Sequence, residues 1–279
     1  MEFQESIIDI IQRRTSSRTY EQKEIDPIAY QKLDAYIAEI NASNQIKGSF
    51  LLAKMNETDA EKPQKLGTYG VITGASSFII GTVDKDEKDA VTFGYLFEKI
   101  VLCATNLGIQ TCWLGGTFKK SDFEKSVVIP ENESIVMVSP IGYKKEKRRL
   151  FESAMRAVIS ADKRKPWSEL FFEADHTPMN EGLAGAYAVP FEMVRLGPSA
   201  SNKQPWRIIH DQDRFDFFLA RTKGYGSPNF DMQMNDMGIA KCHFELTAKE
   251  LGLSGSWKEV SDIKGYEDWE YTFSWVMEA

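Results

Sequence analysis

FGYLFEKIVLCATNLGIQTCW, at Phe93–Trp113, is matched by DMGIAKCHFELTAKELGLSGSW at Asp236–Trp257. A shift of 144 positions aligns two glycines, a tryptophan and three apolar residues, in the pairs Gly94/Gly238, Leu102/Leu246, Ala104/Ala248, Leu107/Leu251, Gly108/Gly252 and Trp113/Trp257. Unrelated amphipathic helices share apolar periodicity, but they have no reason to share two glycines and a tryptophan. We therefore interpret the 279-residue chain as a diverged internal duplication.

Each copy predicts a long helix that ends at a Leu-Gly pair, where the glycine takes the left-handed conformation that follows a last helical turn. The other apolar patterns predict an α+β fold built twice. Helices are expected at Gln4–Arg13, Pro27–Ile40, Ser121–Val127 and Pro190–Leu196, and strands at Ser49–Ala53, Ser77–Val83, Ile135–Ile141, Trp206–Ile209, Phe215–Leu219 and Trp269–Trp275. We expect a first half at 1–156, a polar connecting segment at 157–185 and a shorter second half at 186–279. The two halves are expected to pack like a homodimer fused into one chain, an internal pseudo-dimer.

The composition excludes several classes of protein. Apolar residues make up 42% and charged residues 27%, and the formal net charge of −7 argues against a broad surface for nucleic acid. No run of 18 apolar residues is present, so a membrane span is not expected. Three cysteines and three histidines favour neither a disulfide framework nor a multi-histidine metal site. With an N-terminus that lacks a secretory apolar region, these counts predict a cytoplasmic protein without a metal.

An arginine-rich segment follows the first predicted helix. Its sequence is RRTSSRTY at Arg13–Tyr20, and its guanidinium groups and short hydroxyls suit phosphate oxygens in both charge and direction. The alternative is a solvated basic helix end, which the helix dipole also favours. A second basic cluster, Lys144–Arg149, follows a predicted strand and is by itself typical of a solvated surface.

A turn-rich loop, GPSASNKQPW at Gly197–Trp206, enters a predicted strand of the second half. Its small residues would let a flat ligand approach the backbone, and its Ser, Asn and Gln side chains offer uncharged hydrogen bonds. The alternative is an ordinary connecting loop. The corresponding stretch of the first half, Asn41–Gln45, lacks both prolines and the tryptophan.

Three of these segments resemble the nitroreductase family of FMN-dependent oxidoreductases. RTSSRTY at Arg14–Tyr20 is similar to the family's Arg-x-Ser-x-Arg/Lys-x-Phe element, and PSASNKQPW at Pro198–Trp206 to its Pro-Ser-x-x-Asn-x-Gln-Pro-Trp element. LGIQTCWLGG at Leu107–Gly116 is similar to its element of helix end, Leu-Gly and strand. With the repeat, the resemblance covers most of the chain outside 157–185. It implies the α+β fold of homodimers that hold FMN in the dimer interface.

The resemblance also implies that FMN carries the chemistry, with no catalytic side chain, and that both halves bind it. The implied binding residues of the first half are Arg14, Thr15, Ser16, Arg18, Leu114, Gly115 and Gly116, with Arg148 and Arg149 as further phosphate contacts. Those of the second half are Pro198, Ser199, Ala200, Asn202 and Gln204. Arg14 and Ser16 would hold the phosphate or ribityl end, and Arg18 would lie near the N1–C2=O edge of the flavin.

Each half retains only part of this set, so the resemblance predicts one tightly bound FMN per chain. The expected activity moves electrons from NAD(P)H to nitroaromatics, quinones or similar flat acceptors. A flavin-binding sensor or storage protein without turnover is the main alternative. Another use of the same flavin, such as dehalogenation or flavin breakdown, and a relic without a cofactor are further alternatives. We expect a monomer, with association into a larger assembly left open.

Overall fold

The computed structural model describes residues 3–54, 68, 71–87, 89–125, 127–146, 160, 163–226, 230–264, 266 and 268–278. The first half contains α1 (Ile7–Arg13), α2 (Pro27–Ala42), β1 (Gly48–Lys54), β2 (Ser77–Asp84), α3 (Ala90–Asn106), β3 (Gln110–Thr111), α4 (Lys120–Phe123) and β4 (Glu133–Gly142). The connecting segment contains β5 (Phe171–Glu173) and α5 (Glu181–Ala184). The second half contains α6 (Ala188–Leu196), β6 (Trp206–Asp211), β7 (Arg214–Leu219), α7 (Met232–Glu250), β8 (Gly255–Lys258) and β9 (Glu270–Met277). Single 3-10 turns lie at Trp167–Glu169, Gly185–Tyr187 and Ala200–Asn202.

The two long helices, α3 and α7, begin and end with the same signals. Asp89 and Asp231 cap their first turns by accepting backbone N–H groups, which a helix N-terminus leaves unpaired. At the other end, Gly108 has φ +74° and Gly252 has φ +69°. The left-handed glycines that the sequence predicts are therefore confirmed, and they turn both chains back toward a strand.

The strands form two sheets with a shared order. The first sheet is antiparallel, in the order β1-β2-β4-β3. The second has the order β5-β6-β7-β9-β8, in which β5 pairs with β6 in parallel and the other neighbours are antiparallel. The sequence of elements β1-β2-α3-β3-β4 thus recurs as β6-β7-α7-β8-β9, with the same strand neighbours. Each sheet packs with its own long helix around an apolar cluster.

Helices α3 and α7 meet through the two glycines that the repeat aligns. A Cβ atom on Gly94 would lie 2.1 Å from the carbonyl oxygen of Asn235, and a Cβ atom on Gly238 would lie 2.0 Å from that of Val91. The 144-residue shift also aligns Val91 with Asn235, so the two contacts are reciprocal. Glycine at both positions lets the two backbones touch at this crossing, where any side chain would force them apart.

The predicted helices and strands are present, with three differences. The helix expected at Ser121–Val127 is the single turn α4, whose start has no side-chain cap. Helix α2 continues through Ala42, so Asn41 is helical instead of lying in a loop, and its side chain pairs with the backbone N–H and carbonyl of Phe50 at 2.9 and 2.8 Å. The segment 157–185, expected only to connect the halves, supplies β5, which extends the second sheet because Phe171 is buried there.

Among the described residues, we find no helix with both the length and the apolar character needed to cross a membrane.

Candidate functional site

The arginine-rich segment continues from α1 as extended backbone. Arg14 has φ −60° and ψ 123°, Ser16 forms a parallel bridge with Thr111, and the Ser17 N–H donates to the Thr111 carbonyl at 2.9 Å. Side chains alternate along an extended chain, so Arg14, Ser16 and Arg18 project to one side. The bridge to Thr111 fixes this segment beside β3.

Those side chains face a cavity of about 660 Å³ whose wall comes from both halves. The residues on the wall that the sequence predicts are Arg14, Thr15, Ser16, Arg18, Leu114, Gly115, Gly116, Pro198, Ser199, Ala200 and Asn202. Gln204 is not on the wall, and Arg148 and Arg149 lie outside the described residues. The volume is in the range of small-molecule and cofactor sites.

Arg18 has a buried charge that is only partly paired. Its side chain belongs to a residue that is 9% exposed, yet its Nε and Nη1 have no hydrogen-bond partner in the part of the chain that the structure describes. Burying guanidinium N–H groups without acceptors costs free energy. An anion or carbonyl oxygen in the cavity would complete these bonds. Arg14 is also buried on this wall.

The loop after β3 brings backbone to the cavity. Leu114 exchanges two backbone hydrogen bonds with Val138, at 2.9 and 3.0 Å. A Cβ atom on Gly115 would lie 1.8 Å from Cε of Met232, the flexible end of a side chain on α7, so α7 packs closely against this loop, whereas Gly116 borders open space. The second half thereby helps to position a first-half loop of the wall.

The loop after α6 has a strained backbone. Ser201, Asn202 and Gln204 have φ of +48°, +55° and +49°, in the left-handed region that costs a non-glycine residue about 1 kcal/mol or more. Such conformations persist where the surroundings enforce them. One enforcing contact comes from α7, where the two carboxyl oxygens of Asp236 accept the Ala200 N–H at 3.1 and 3.0 Å.

Two side-chain amides hold the same loop from behind. The Asn202 Nδ2 donates to the Lys163 carbonyl at 2.9 Å, and its Oδ1 accepts from Nη1 of Arg164 at 3.1 Å. The Gln204 Oε1 accepts the Lys165 N–H at 2.8 Å. The side chain of Gln204, which the sequence places among the cofactor-binding residues, is used by the backbone behind the wall. Its part in cofactor binding stays a prediction. Asn202 lies on the wall, but its side-chain amide makes hydrogen bonds to Lys163 and Arg164 behind the loop.

The wall residues that were not singled out from the sequence include Arg164, Tyr225, Asn235 and Asp236. Arg164 adds a third guanidinium to those of Arg14 and Arg18. Burial raises the pKa of Asp236 well above its usual range, which favours the neutral carboxyl and lessens its opposition to the arginines. The wall as a whole favours an anionic ligand, within a protein whose net charge is negative.

Asn235 and Tyr225 add uncharged polar groups to the wall. The Asn235 Oδ1 is buried with no hydrogen-bond partner among the described residues, and the Tyr225 hydroxyl donates to Oγ of Ser201 at 2.8 Å. A sequence signal existed for Asn235, because it lies one turn before Gly238 on the packed face of α7. Tyr225 and Arg164 carried no comparable signal.

The chain matches known proteins over most of its length. A family model described as "Putative TM nitroreductase" matches residues 6–248. A crystal structure of a "putative nitroreductase" from Thermotoga maritima has a TM-score of 0.61 at 18% identity, over 99% of this chain and 96% of that one. A nitroreductase with bound FMN from Desulfitobacterium hafniense has a TM-score of 0.43 at 18% identity, over 52% of this chain and 92% of that one. No curated protein matches the sequence. Because the family model spans all but the ends of both halves, the chain belongs to this nitroreductase family.

Proposed function

We propose that the protein is an FMN-dependent oxidoreductase of nitroreductase type, with one FMN site between its two halves. The observation that carries the proposal is the composition of the cavity wall. Arg14–Arg18 of the first half and Pro198–Asn202 of the second half line the same cavity. These are the two segments that most closely resemble FMN-binding elements of the family, and they are 180 residues apart in the sequence.

We further propose that the two halves form an intramolecular pseudo-dimer. The recurring element order and the reciprocal contacts of Gly94 and Gly238 support a twofold relation between α3 and α7. In this arrangement the first half contributes the arginines and the Leu114–Gly116 loop, and the second contributes the loop after α6. The opposite side of the pseudo-dimer has neither set, which is the reason to expect one FMN per chain.

The residues of the wall fit FMN. Arg14 and Ser16 would hold its phosphate or ribityl end, and the unpaired Nε and Nη1 of Arg18 would donate to a carbonyl edge of the ring. The small residues of the Pro198–Asn202 loop leave room for a flat ring system against the backbone. When bound, FMN would supply the transfer of hydride and electrons from NAD(P)H to a nitroaromatic, quinone or similar flat acceptor. The chain would bind and orient the cofactor and shape the space for the acceptor.

The first test is the flavin content of the purified protein, measured by absorption and by mass spectrometry of the released cofactor. We expect about one FMN per chain. Two would refute the asymmetric site, and none, with none taken up on adding FMN, would refute the proposal. Arg14→Ala/Arg18→Ala should lower the content strongly, and Asn202→Ala should lower it too, although it lies in the other half. Arg221→Ala is the matched control, because Arg221 pairs with Asp231 and Glu270 and is not on the wall.

Turnover is tested separately, by steady-state oxidation of NADH and NADPH with a quinone or a nitroaromatic acceptor. Sustained oxidation that depends on the acceptor supports the enzyme. A bound flavin that dithionite reduces but neither nicotinamide reduces would favour the alternative, a flavin-binding sensor or storage protein.

A further inference from the structure

A carboxyl and an imidazole form a fully buried pair behind the cavity wall. Glu98 lies on α3 and His243 on α7, and both side chains are 0% exposed. The Nε2 of His243 is 2.8 Å from Oε1 of Glu98, and its Nδ1 is 2.8 Å from the carbonyl oxygen of Met193. The other carboxyl oxygen of Glu98 accepts the Trp113 indole N–H at 2.8 Å. The pair therefore joins the two long helices at their interface.

The partners of His243 determine how many protons the pair holds. The Met193 carbonyl can only accept, so Nδ1 carries a hydrogen. A bare Nε2 would then direct a lone pair at an ionised carboxylate oxygen 2.8 Å away, which is repulsive. The contact is attractive only if it contains a proton, either on the imidazole or on the carboxyl. In both cases the Glu98–His243 pair has no net charge.

This proton matters for Arg14, whose Nε is 3.9 Å from the same Oε1 of Glu98. A carboxylate without a second partner would attract that guanidinium strongly, because both groups are buried and poorly screened by water. With His243 present, the negative charge of Glu98 is already compensated. Arg14 lies on the cavity wall and is then not drawn back toward α3.

Other charged groups on the packed elements are engaged elsewhere. On α7, burial raises the pKa of Cys242, which stays a neutral thiol, and Glu245 accepts from the hydroxyl of Tyr95. On α3, Nζ of Lys99 lies over the Tyr95 ring at 5.6 Å. On α6 and α1 the charged neighbours are paired with each other, Arg195 with Glu192 and Arg13 with Glu5. His243 and Arg14 are thus the cationic groups that touch Glu98 among the described residues.

We propose that His243 is a positioning residue of the cavity: by compensating Glu98, it keeps the charge of Arg14 directed at the anionic end of the bound ligand. The inference rests on the proposed function for the identity of that ligand, FMN. His243 acts through Glu98 and Arg14 and does not touch the ligand itself.

The test is the Kd for FMN of the full chain, stripped of flavin and titrated at pH 7 by flavin fluorescence. His243→Gln keeps a donor toward Glu98 but cannot hold the charge. We expect its binding to weaken by about tenfold or more relative to the wild type, because the uncompensated carboxylate of Glu98 then pairs with Arg14. The double variant Glu98→Gln/His243→Gln has no charge to compensate. It should bind FMN within about threefold of the wild type.

A merely structural role for His243 predicts a different pattern, in which binding weakens and adding Glu98→Gln does not restore it. That pattern, or a His243→Gln variant that binds like the wild type, overturns the proposal. Arg14→Gln distinguishes a failure of the positioning role of His243 from a failure of the assigned flavin site. If it weakens binding while His243→Gln does not, the positioning role alone is wrong. If Arg14→Gln binds FMN like the wild type, the assigned flavin site is wrong and the positioning role with it.

Discussion

The residues that follow the two repeated helices, α3 and α7, begin with the same pattern but have different roles. After α3, the Trp113 indole donates to Glu98 at 2.8 Å, and the chain leaves its two-residue strand to line the cavity with Leu114–Gly116. After α7, the Trp257 indole donates to Glu245 at 2.8 Å, but Trp257 lies within β8 and the chain stays in the sheet. The shared pattern therefore specifies the helix, the glycine turn and the tryptophan, whose acceptors Glu98 and Glu245 are not aligned by the 144-residue shift. It does not specify whether the next residues reach a ligand.

The connections that lead into β1 and β6 differ in the complementary sense. After α2, Asn41 uses its amide to pair with the backbone of Phe50, so the helix leads directly into β1. After α6, the chain makes the strained Ser199–Gln204 loop and reaches the cavity before entering β6. Each half thus contributes at the point where the other has an ordinary connection. This difference is what the proposed single FMN site between the two halves requires.

The largest effect is expected where the halves are most alike, at the helix crossing. Gly238→Ala should lower the free energy of unfolding by about 3 kcal/mol, because its Cβ would lie 2.0 Å from the Val91 carbonyl oxygen. Helix propensity alone predicts the opposite sign, a gain of about 1 kcal/mol. Gly94→Ala should cost a similar amount if the contacts are reciprocal. Chemical denaturation of both variants measures this.

Gly116→Ala is the control for overpacking, because a Cβ atom there meets nothing within 4 Å. Its unfolding free energy should stay within about 0.5 kcal/mol of the wild type. Equal stability of Gly238→Ala and Gly116→Ala would contradict the close crossing of α3 and α7. A large loss of unfolding free energy in Gly238→Ala with none in Gly94→Ala would show that the two contacts are not reciprocal.

The next effect concerns the contribution of the first half to the cavity. Arg18→Met keeps the length of the side chain and removes N–H groups that lack acceptors. The flavin-free protein should become more stable by about 1 kcal/mol, while FMN binding weakens by about tenfold or more. Arg221→Met is the matched control, since it removes a guanidinium that is paired with Asp231 and Glu270. It should lower stability slightly and leave FMN binding unchanged. Loss of stability in both variants would mean that Arg18 is a structural residue.

Local sequence signals predicted the helices, the strands and the glycine turns, and the family resemblance predicted the two segments that line the cavity. Each of these patterns depends on residues that are close together in the sequence, so it can be recognised without the tertiary structure. Examples are the glycine turns, the repeated helix and the arginine segment. Arg164 could not be found in this way, because its position depends on a hydrogen bond to Asn202, 38 residues away. The Glu98–His243 pair was hidden for the same reason, since its members are 145 residues apart and each interrupts an apolar helix face alone.

Gln204 shows that a local pattern does not separate ligand contacts from loop supports. Its match to a family element placed it with the ligand-binding residues, yet the loop needs its side chain for the Lys165 backbone. A motif records which residues a loop requires, both those that contact the ligand and those that hold the loop in shape. Geometry is needed to separate the two.

The smallest expected effect is on the pH dependence of stability, and it tests what Asp236 of the second half contributes to the cavity wall. Burial raises the pKa of Asp236, so the folded chain keeps this carboxyl protonated where the unfolded chain ionises it. Its stabilising contribution is complete below about pH 4, the ordinary pKa of an aspartate, and is lost as the pH rises. Asp236→Asn cannot ionise. Its unfolding free energy should match the wild type near pH 4 and exceed it increasingly toward pH 8, as measured by urea denaturation at several pH values.

Asp231→Asn, at the N-cap of the same helix and five residues before Asp236, is the control. Its effect on stability should change with pH in the opposite direction. Burial acts to raise the pKa of Asp231, but the hydrogen bonds from Arg221 and from backbone N–H groups outweigh it, and the net pKa is lowered. The ionised Asp231 therefore stabilises the fold at neutral pH and loses that contribution as the pH falls. Asp231→Asn should be less stable than the wild type at pH 8 and approach it at low pH. If the difference in unfolding free energy between variant and wild type changed with pH in the same direction for both substitutions, Asp236 would be ionised in the folded chain. The second half would then place a negative charge beside the arginines of the first, and the division of charge between the halves would be wrong.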